Sequence, residues 1–317
     1  MLQIRHILFP TDFSESSDQA FEHALFLARE HDATLEILHV IQLAPGYPHL
    51  GVPTMATMKE TDVKKLIQEQ IDRISDSGNV DLKTTIKEAP AIGRSIVEYS
   101  EEQDVDLIVI GTHGRQGVRR FFLGSEAEEV LRGAERPVLA VRKQDEPFPA
   151  TPLRRVLVPV DLSERSIAAL AHAQEIAAMY GAQLDVIHVV DPDLRHPSVY
   201  SELTGRQLET AFEIEAAVQE TLKSMTDSAR KAGIDVQTHV CHGSPTRYIF
   251  EFAQTHDMDL IVMSSHGRTG AERLLVGSVT QKVMRATPCP IFVVKSFGKM
   301  LVPDPKISSQ PETAPES

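Results

Sequence analysis

The fold is decided by the segment Asp106-Leu-Ile-Val-Ile-Gly-Thr-His-Gly114, which recurs as Asp259-Leu-Ile-Val-Met-Ser-Ser-His-Gly267. In each copy a short, β-branched apolar run is followed at once by a turn that contains glycine. Such a run is typical of a strand that is buried on both faces of a parallel sheet. Glycine directly after a strand lets the backbone turn sharply and approach a ligand closely. Each copy therefore predicts a central strand that leads into a binding loop.

The repeat extends over most of the chain. Residues 7–40 align with 156–189 without a gap, and 14 of the 34 aligned positions are identical. Residues 106–142 align with 259–295 at an offset that is larger by 4, so the second copy carries a net insertion in its middle. Each copy has the size of a domain. We predict a first domain over 1–142, a proline-containing linker over 143–153, a second domain over 154–295 and a disordered tail over 296–317.

Each copy alternates apolar strands with helices of amphipathic spacing. This order predicts an α/β fold with two tandem, doubly wound (Rossmann-like) domains, each a five-stranded parallel sheet of order 3-2-1-4-5 flanked by helices. The first copy predicts strands at 6–10, 34–40, 80–87, 106–111 and 137–141, with helices at 14–31, 58–77, 92–103 and 125–133. The second predicts the same order, including a helix over 203–232.

The predicted topology also locates a binding crevice. In a sheet of order 3-2-1-4-5 the strand order reverses between strands 1 and 4, and ligands bind beyond the carboxyl ends of the strands at that point. The loops there are Pro10-Thr11-Asp12 and Gly111-Thr112-His113-Gly114. Both loops are among the best matched between the copies, so the repeat and the topology indicate one place.

The glycine loop of the first copy has the parts of a phosphate site. Gly111, Gly114 and Gly124 follow the spacing G-x2-G-x9-G, and Ser125 opens the next helix. Unpaired N–H groups and the helix dipole favour an anion at such a helix start. The loop lacks the Gly-Lys-Ser/Thr of a Walker A loop and the G-x-G-x-x-G of a dinucleotide fingerprint.

This spacing, together with an aspartate directly after strand 1, resembles the ATP-binding signature of the universal stress protein family. The whole chain looks like the tandem form of that family. The resemblance implies that ATP and Mg²⁺ are the cofactors, with Asp12 near the ribose, the phosphates or the metal, and the backbone of Val40 at the adenine edge. The phosphate residues would be Gly111, Gly114, Gly124 and Ser125, and the second copy matches with Asp161 (also a candidate for the metal), Val189, Gly267, Gly277 and Ser278.

The second copy departs from the signature at Ser264, which stands where the first copy has Gly111. A serine costs little there if φ is negative, and about 1–2 kcal/mol if the backbone must be left-handed. We therefore expect the first copy to be the better nucleotide holder. Arg115 and Arg268 follow the second glycine and could reach a phosphate, but a solvated surface arginine fits the pattern equally well.

Composition limits the partners and the location. The chain has 317 residues and a net charge of −13, which argues against general nucleic-acid binding and against adhesion to anionic membranes. We find no apolar run of the roughly 20 residues that a membrane span needs, and no signal-peptide pattern, and we expect a cytoplasmic location. The last strands, 137–141 and 290–294, are edge candidates; the resemblance implies that they pair with each other as an intramolecular pseudo-dimer or with a second chain.

Three functions remain open from the residues. The leading one is a nucleotide-dependent stress-response regulator that acts through its conformation or an unidentified protein partner. No P-loop lysine or water-activating set accompanies the loop, so we assign no catalytic residue. A slow ATPase or adenylating enzyme is the first alternative, and a ligand-free interaction scaffold is the second.

Overall fold

A computed structural model describes residues 2–44, 55–56, 58–74, 80–112, 123–143, 152–192, 196–267, 276–295 and 298–302. In the first domain the strands are β1 (His6–Pro10), β2 (Thr34–Ala44), β3 (Met55–Ala56), β4 (Leu82–Ala89), β5 (Leu107–Gly111) and β6 (Val138–Val141). The helices are α1 (Glu15–His31), α2 (Glu60–Ile74), α3 (Ile92–Glu102) and α4 (Ser125–Gly133).

The second domain repeats this order with one additional helix. Its strands are β7 (Arg155–Pro159), β8 (Gln183–Val190), β9 (Val236–His242), β10 (Leu260–Ser264) and β11 (Ile291–Val294). Its helices are α5 (Glu164–Tyr180), α6 (Pro197–Thr204), α7 (Ala211–Lys231), α8 (Pro245–Thr255) and α9 (Ser278–Ala286).

The strand order is the one that the alternation predicts. The first domain has the parallel order β4-β2-β1-β5-β6, and the short β3 adds to β2 antiparallel. The second domain has the parallel order β9-β8-β7-β10-β11. The prediction of two doubly wound sheets of order 3-2-1-4-5 is confirmed.

Alternation along the strands divides the core into two layers. Ile7 and Phe9 belong to the layer under α1 and α2, whereas Leu8 belongs to the layer under α3 and α4. Successive side chains of a strand point to opposite faces, so a strand that is covered on both faces must be apolar throughout. Each layer contains residues of both domains, so the two cores are continuous across the sheet.

Two element predictions were wrong. Strand β2 continues to Ala44, beyond the predicted end at residue 40, because β4 pairs with it as far as Gln42. The single helix predicted over 203–232 is two helices, since Gly205 ends α6 at φ 66° and a capping box at Thr210 begins α7. These two features lie in the segment that differs most between the copies.

The two sheets join edge to edge through β6 and β11, which pair antiparallel. Leu139 pairs with Phe292, and these two residues are equivalent positions of the repeat. The same holds for Glu128 and Gln281, whose side chains are joined by a 3.0 Å hydrogen bond between α4 and α9. Contacts between equivalent residues are the mark of a twofold axis. The two domains are therefore related by an approximate twofold axis that passes near Leu139.

Part of the predicted tail is packed against the rest of the protein. Leu301 and Val302 are each 5% exposed, and the Leu301 N–H donates to Nε2 of His172 at 3.2 Å. Lys299 Nζ forms an ion pair with Asp106 in the first domain at 2.7 Å. The prediction of disorder from residue 296 is wrong for 298–302, because two apolar side chains and one lysine find partners there. Among the described residues, no helix is long and apolar enough to cross a membrane.

Candidate functional site

The aspartate after the first strand has the same setting in both domains. Asp12 Oδ1 accepts a hydrogen bond from the Ser14 N–H, and Asp161 Oδ1 accepts one from the Ser163 N–H, both at 3.1 Å. These serines are the N-caps of α1 and α5. One oxygen of each carboxylate therefore fixes the turn that begins the helix.

A left-handed residue follows each aspartate. Phe13 has φ 62° and Leu162 has φ 65°, although neither is glycine. Such a conformation costs an apolar residue on the order of 1–3 kcal/mol, and it is found mostly where function requires a particular turn. This conformation fixes the direction in which the chain leaves the first strand, and it occurs at the same position in both copies.

A histidine from the second strand holds this loop in place. Nδ1 of His39 donates to the Thr11 carbonyl and Nδ1 of His188 donates to the Val160 carbonyl, each at 2.8 Å. Both histidines are buried. Both histidines recur in the two copies because each one positions the residue before the aspartate, Thr11 or Val160.

The two ends of the glycine loop are joined by a backbone hydrogen bond in both domains. The Gly124 N–H donates to the Thr112 carbonyl at 2.7 Å, and the Gly277 N–H donates to the Ser265 carbonyl at 2.8 Å. The predicted site residues Gly114, Arg115 and Arg268 lie outside the described residues. The described base of each loop therefore lies between the end of the fourth parallel strand and the start of the next helix.

The second domain shows how closely the aspartate and the loop approach. A Cβ atom built on Gly267 would lie 2.6 Å from Oδ2 of Asp161, which is closer than real Cβ contacts come. Gly277 packs beside them, since a Cβ atom there would lie 3.6 Å from the Gly267 N atom. The structure thus brings together Asp161, Gly267 and Gly277, three residues that sequence reasoning assigned to one crevice.

Gly111 and Ser264 differ for a packing reason. A Cβ atom on Gly111 would lie 2.8 Å from the carbonyl oxygen of Ser16 in α1, so the first turn of that helix needs a glycine below it. Ser264 has no positive φ, and its hydroxyl donates to the His266 carbonyl at 2.7 Å. Ser264 therefore carries none of the roughly 1–2 kcal/mol of strain that a left-handed backbone would impose on it.

In the described residues, the helices that follow the loops begin without a side-chain cap. Gly124 and Gly277 are the N-caps of α4 and α9, and neither supplies a side-chain cap. Ser125 and Ser278 are the first helical residues, and both are exposed. First-turn N–H groups without a side-chain cap, beside a hydroxyl and a glycine, fit the phosphates of a nucleotide.

Val40 in β2 and Val189 in β8 each lie two residues beyond the last residue of their strand that pairs with the first strand of the domain. The β1–β2 pairing ends at Leu38, and the β7–β8 pairing ends at Ile187. Both valines keep the partner on their other side, in β4 and β9. Their backbone therefore borders the crevice, where a flat ring could be met by main-chain groups.

A preformed metal site is not seen in the described part of the chain. No group of three or more histidine, cysteine, aspartate or glutamate side chains there could hold a metal ion. Neither Asp12 nor Asp161 belongs to such a group in the described residues, so a Mg²⁺ ion there would need the oxygens of a bound phosphate chain as additional ligands. The donor set fits a metal that arrives with a nucleotide.

The fold is that of a tandem, doubly wound α/β protein, and each domain has a glycine loop after its fourth parallel strand. The profile of the universal stress protein family matches residues 3–142 and 152–295, and the chain belongs to that family. A universal stress protein of Mycolicibacterium smegmatis is 27% identical over 302 residues, which cover 91% of this chain and 96% of the relative. One from Methanocaldococcus jannaschii is 35% identical over 147 residues, which cover 45% of this chain and 82% of the relative.

Solved structures agree on the architecture. A universal stress protein from Archaeoglobus fulgidus superposes with a TM-score of 0.63 at 23% identity, covering 91% of this chain and 97% of that one. This likeness supports the fold of both domains.

Sequence reasoning missed three features of the site. The left-handed residues Phe13 and Leu162 carry no glycine or asparagine signal. Arg165 lies at the second loop, where its guanidinium donates to the Gly267 carbonyl at 3.2 Å. His266 lies in the repeated segment; it is 4% exposed, and its Nε2 has no hydrogen-bond partner among the described residues. Only a comparison of non-identical positions between the copies could have indicated Arg165.

Proposed function

We propose that the chain is an ATP-binding regulator of the stress response, which acts through its conformation or a protein partner and not through rapid turnover. The observation that carries this proposal is the close approach of Asp161 Oδ2 to Gly267, where a Cβ atom would lie 2.6 Å from that oxygen. It joins the carboxylate to the loop at the carboxyl ends of adjacent strands, where this fold binds ligands. Gly124 and Gly277, with Ser125 and Ser278, would hold the phosphates through first-turn N–H groups and hydroxyls.

The other assigned residues complete the proposed sites. Asp12 and Asp161 would bind the ribose or the Mg²⁺ that accompanies the phosphates, and the backbone of Val40 and Val189 would meet the adenine. Mg²⁺ would neutralise phosphate charge. The predicted roles of Gly114, Arg115 and Arg268 stay part of the proposal through their place in the same loops.

We include in the proposal an intramolecular pseudo-dimer as the working unit. The antiparallel pairing of β6 with β11 and the contact of Glu128 with Gln281 support it. Each domain also contributes a basic side chain that hydrogen-bonds to the other domain. Lys295 donates to the Leu131 carbonyl, and Arg142 donates to the Thr287 carbonyl. These carbonyls lie at the C-terminal ends of α4 and α9, where a helix dipole favours a cation. The same two helices begin at the proposed phosphate sites.

Binding and turnover measurements test this function. The purified chain is titrated with ATP, ADP and AMP in the presence of Mg²⁺, and product formation is followed over many turnovers. We expect saturable ATP binding without appreciable turnover. Multiple turnover that disappears in Asp12→Ala would favour the enzyme, and the absence of any nucleotide binding would favour the scaffold.

A further inference from the structure

We infer that the second domain is the tighter nucleotide site, and that Arg165 and Glu126 set the difference between the two domains. This inference rests on the proposed function. It reverses the expectation drawn from Ser264, which favoured the first domain. The repeat allows the two sites to be compared position by position.

The first charge difference lies in the helix that follows the first strand. Arg165 is the second residue of α5, and the equivalent position in α1 is Ser16. A cation in the first turn of a helix interacts unfavourably with the helix dipole, so Arg165 does not stabilise α5 through that dipole. Its guanidinium instead donates to the Gly267 carbonyl at 3.2 Å. It thereby places a positive charge on the loop that faces Asp161.

The second charge difference lies in the helix that receives the phosphates. The first turn of α4 contains Glu126 and Glu128, whereas the first turn of α9 contains no acidic residue. Glu128 pairs with Arg132 at 2.9 Å. Glu126 accepts a 2.8 Å hydrogen bond from the neutral Gly93 N–H, so this bond leaves its charge in place. The equivalent of Glu126 in the second domain is Val279.

The buried histidine of the second loop lies close to the charge that Arg165 brings to this loop. His266 precedes Gly267, and burial, together with the nearby charges on Arg165 and Lys295, lowers its pKa. A lowered pKa keeps His266 uncharged at neutral pH, so the positive charge at this loop comes from Arg165 and not from the histidine. Within these described first turns, positions 16 and 126 of the first domain carry one negative charge, and the equivalent positions 165 and 279 of the second domain carry one positive charge. A triphosphate is repelled by the first set and attracted by the second.

The inference is tested by calorimetric titration of the full chain with ATP–Mg²⁺ at low and high salt. We expect two sites whose Kd values differ by about tenfold, as the two charges of Arg165 and Glu126 near helix N-termini can produce. The tighter site should persist in Asp12→Asn and be lost in Asp161→Asn. Asparagine keeps the oxygen that accepts from the capping serine, and the melting temperature of each variant checks its fold.

Exchanging residues between the copies gives matched variants. Arg165→Ser should weaken the tighter site and reduce its salt dependence, while Glu126→Val should strengthen the weaker one. Equal Kd values in the unaltered chain, or loss of the tighter site in Asp12→Asn, would overturn this inference and leave the proposed function standing. No binding of ATP–Mg²⁺ at either site would overturn both.

Discussion

Replacing Gly111 by alanine is expected to destabilise the first domain through packing alone. The new Cβ atom would lie 2.8 Å from both the carbonyl oxygen and the hydroxyl oxygen of Ser16. Ordinary contact begins near 3.4 Å, so the first turn of α1 would have to move by about 0.6 Å in a close-packed region. Gly111 has no positive φ, so backbone strain adds nothing. Overpacking of this kind costs about 1–3 kcal/mol.

The second domain supplies the control for this prediction. Ser264→Ala keeps the Cβ atom that this position already accommodates and removes only the hydroxyl that donates to the His266 carbonyl. Its cost should be about 1 kcal/mol. Both variants are measured by urea unfolding, followed by circular dichroism, and by calorimetry. A Gly111→Ala variant as stable as the unaltered protein would refute the packing explanation of this glycine.

Three further predictions concern the contacts between the domains. Burial lowers the pKa of Lys295 to about 7. Below pH 7 the buried side chain is charged, and its full desolvation penalty lowers the free energy of unfolding. As the pH rises from 7 toward the ordinary pKa of an unfolded lysine, the buried amine loses its proton and the free energy of unfolding rises. Lys295→Met should therefore remove up to about 2 kcal/mol of the rise in unfolding free energy between pH 7 and pH 9, measured by urea unfolding. Lys299→Ala breaks the 2.7 Å ion pair with Asp106, and should speed hydrogen exchange at the Leu301 amide; unchanged exchange would show that the lysine does not hold the segment. Phe292→Ala empties the centre of the β6–β11 pairing and should cost about 3–5 kcal/mol, with two separate calorimetric transitions in place of one. A single transition with unchanged enthalpy would contradict that role.

Most of the fold could be predicted because the same pattern of strands and helices occurs in both copies of the repeat. The apolar runs at 106–111 and 259–264 have the composition of buried parallel strands, and the handedness of crossovers leaves few topologies for such an alternation. The same topology places Asp161 and Gly267 at neighbouring strand ends. Their approach was therefore predictable from chain order, before any distance was known.

The features that were missed depend on tertiary contacts. Leu301 and Val302 are two apolar residues at the start of a proline- and serine-rich tail. The average composition of the tail is polar, and it therefore does not indicate that these two side chains are buried. Arg165 looks like an ordinary surface residue of a helix until the loop of Gly267 is placed beside it. Phe13 adopts a left-handed conformation that no property of its side chain announces. Neither a composition nor a periodicity reports such contacts.

The central claim is that the crevices of this chain hold adenine nucleotide. The most direct measurement is to purify the protein without added ligand, denature it, and identify released nucleotide by mass with its molar ratio. The account predicts between one and two adenine nucleotides per chain, the first of them lost in Asp161→Asn. Release of none, followed by no binding of ATP–Mg²⁺ at millimolar concentration, would contradict it.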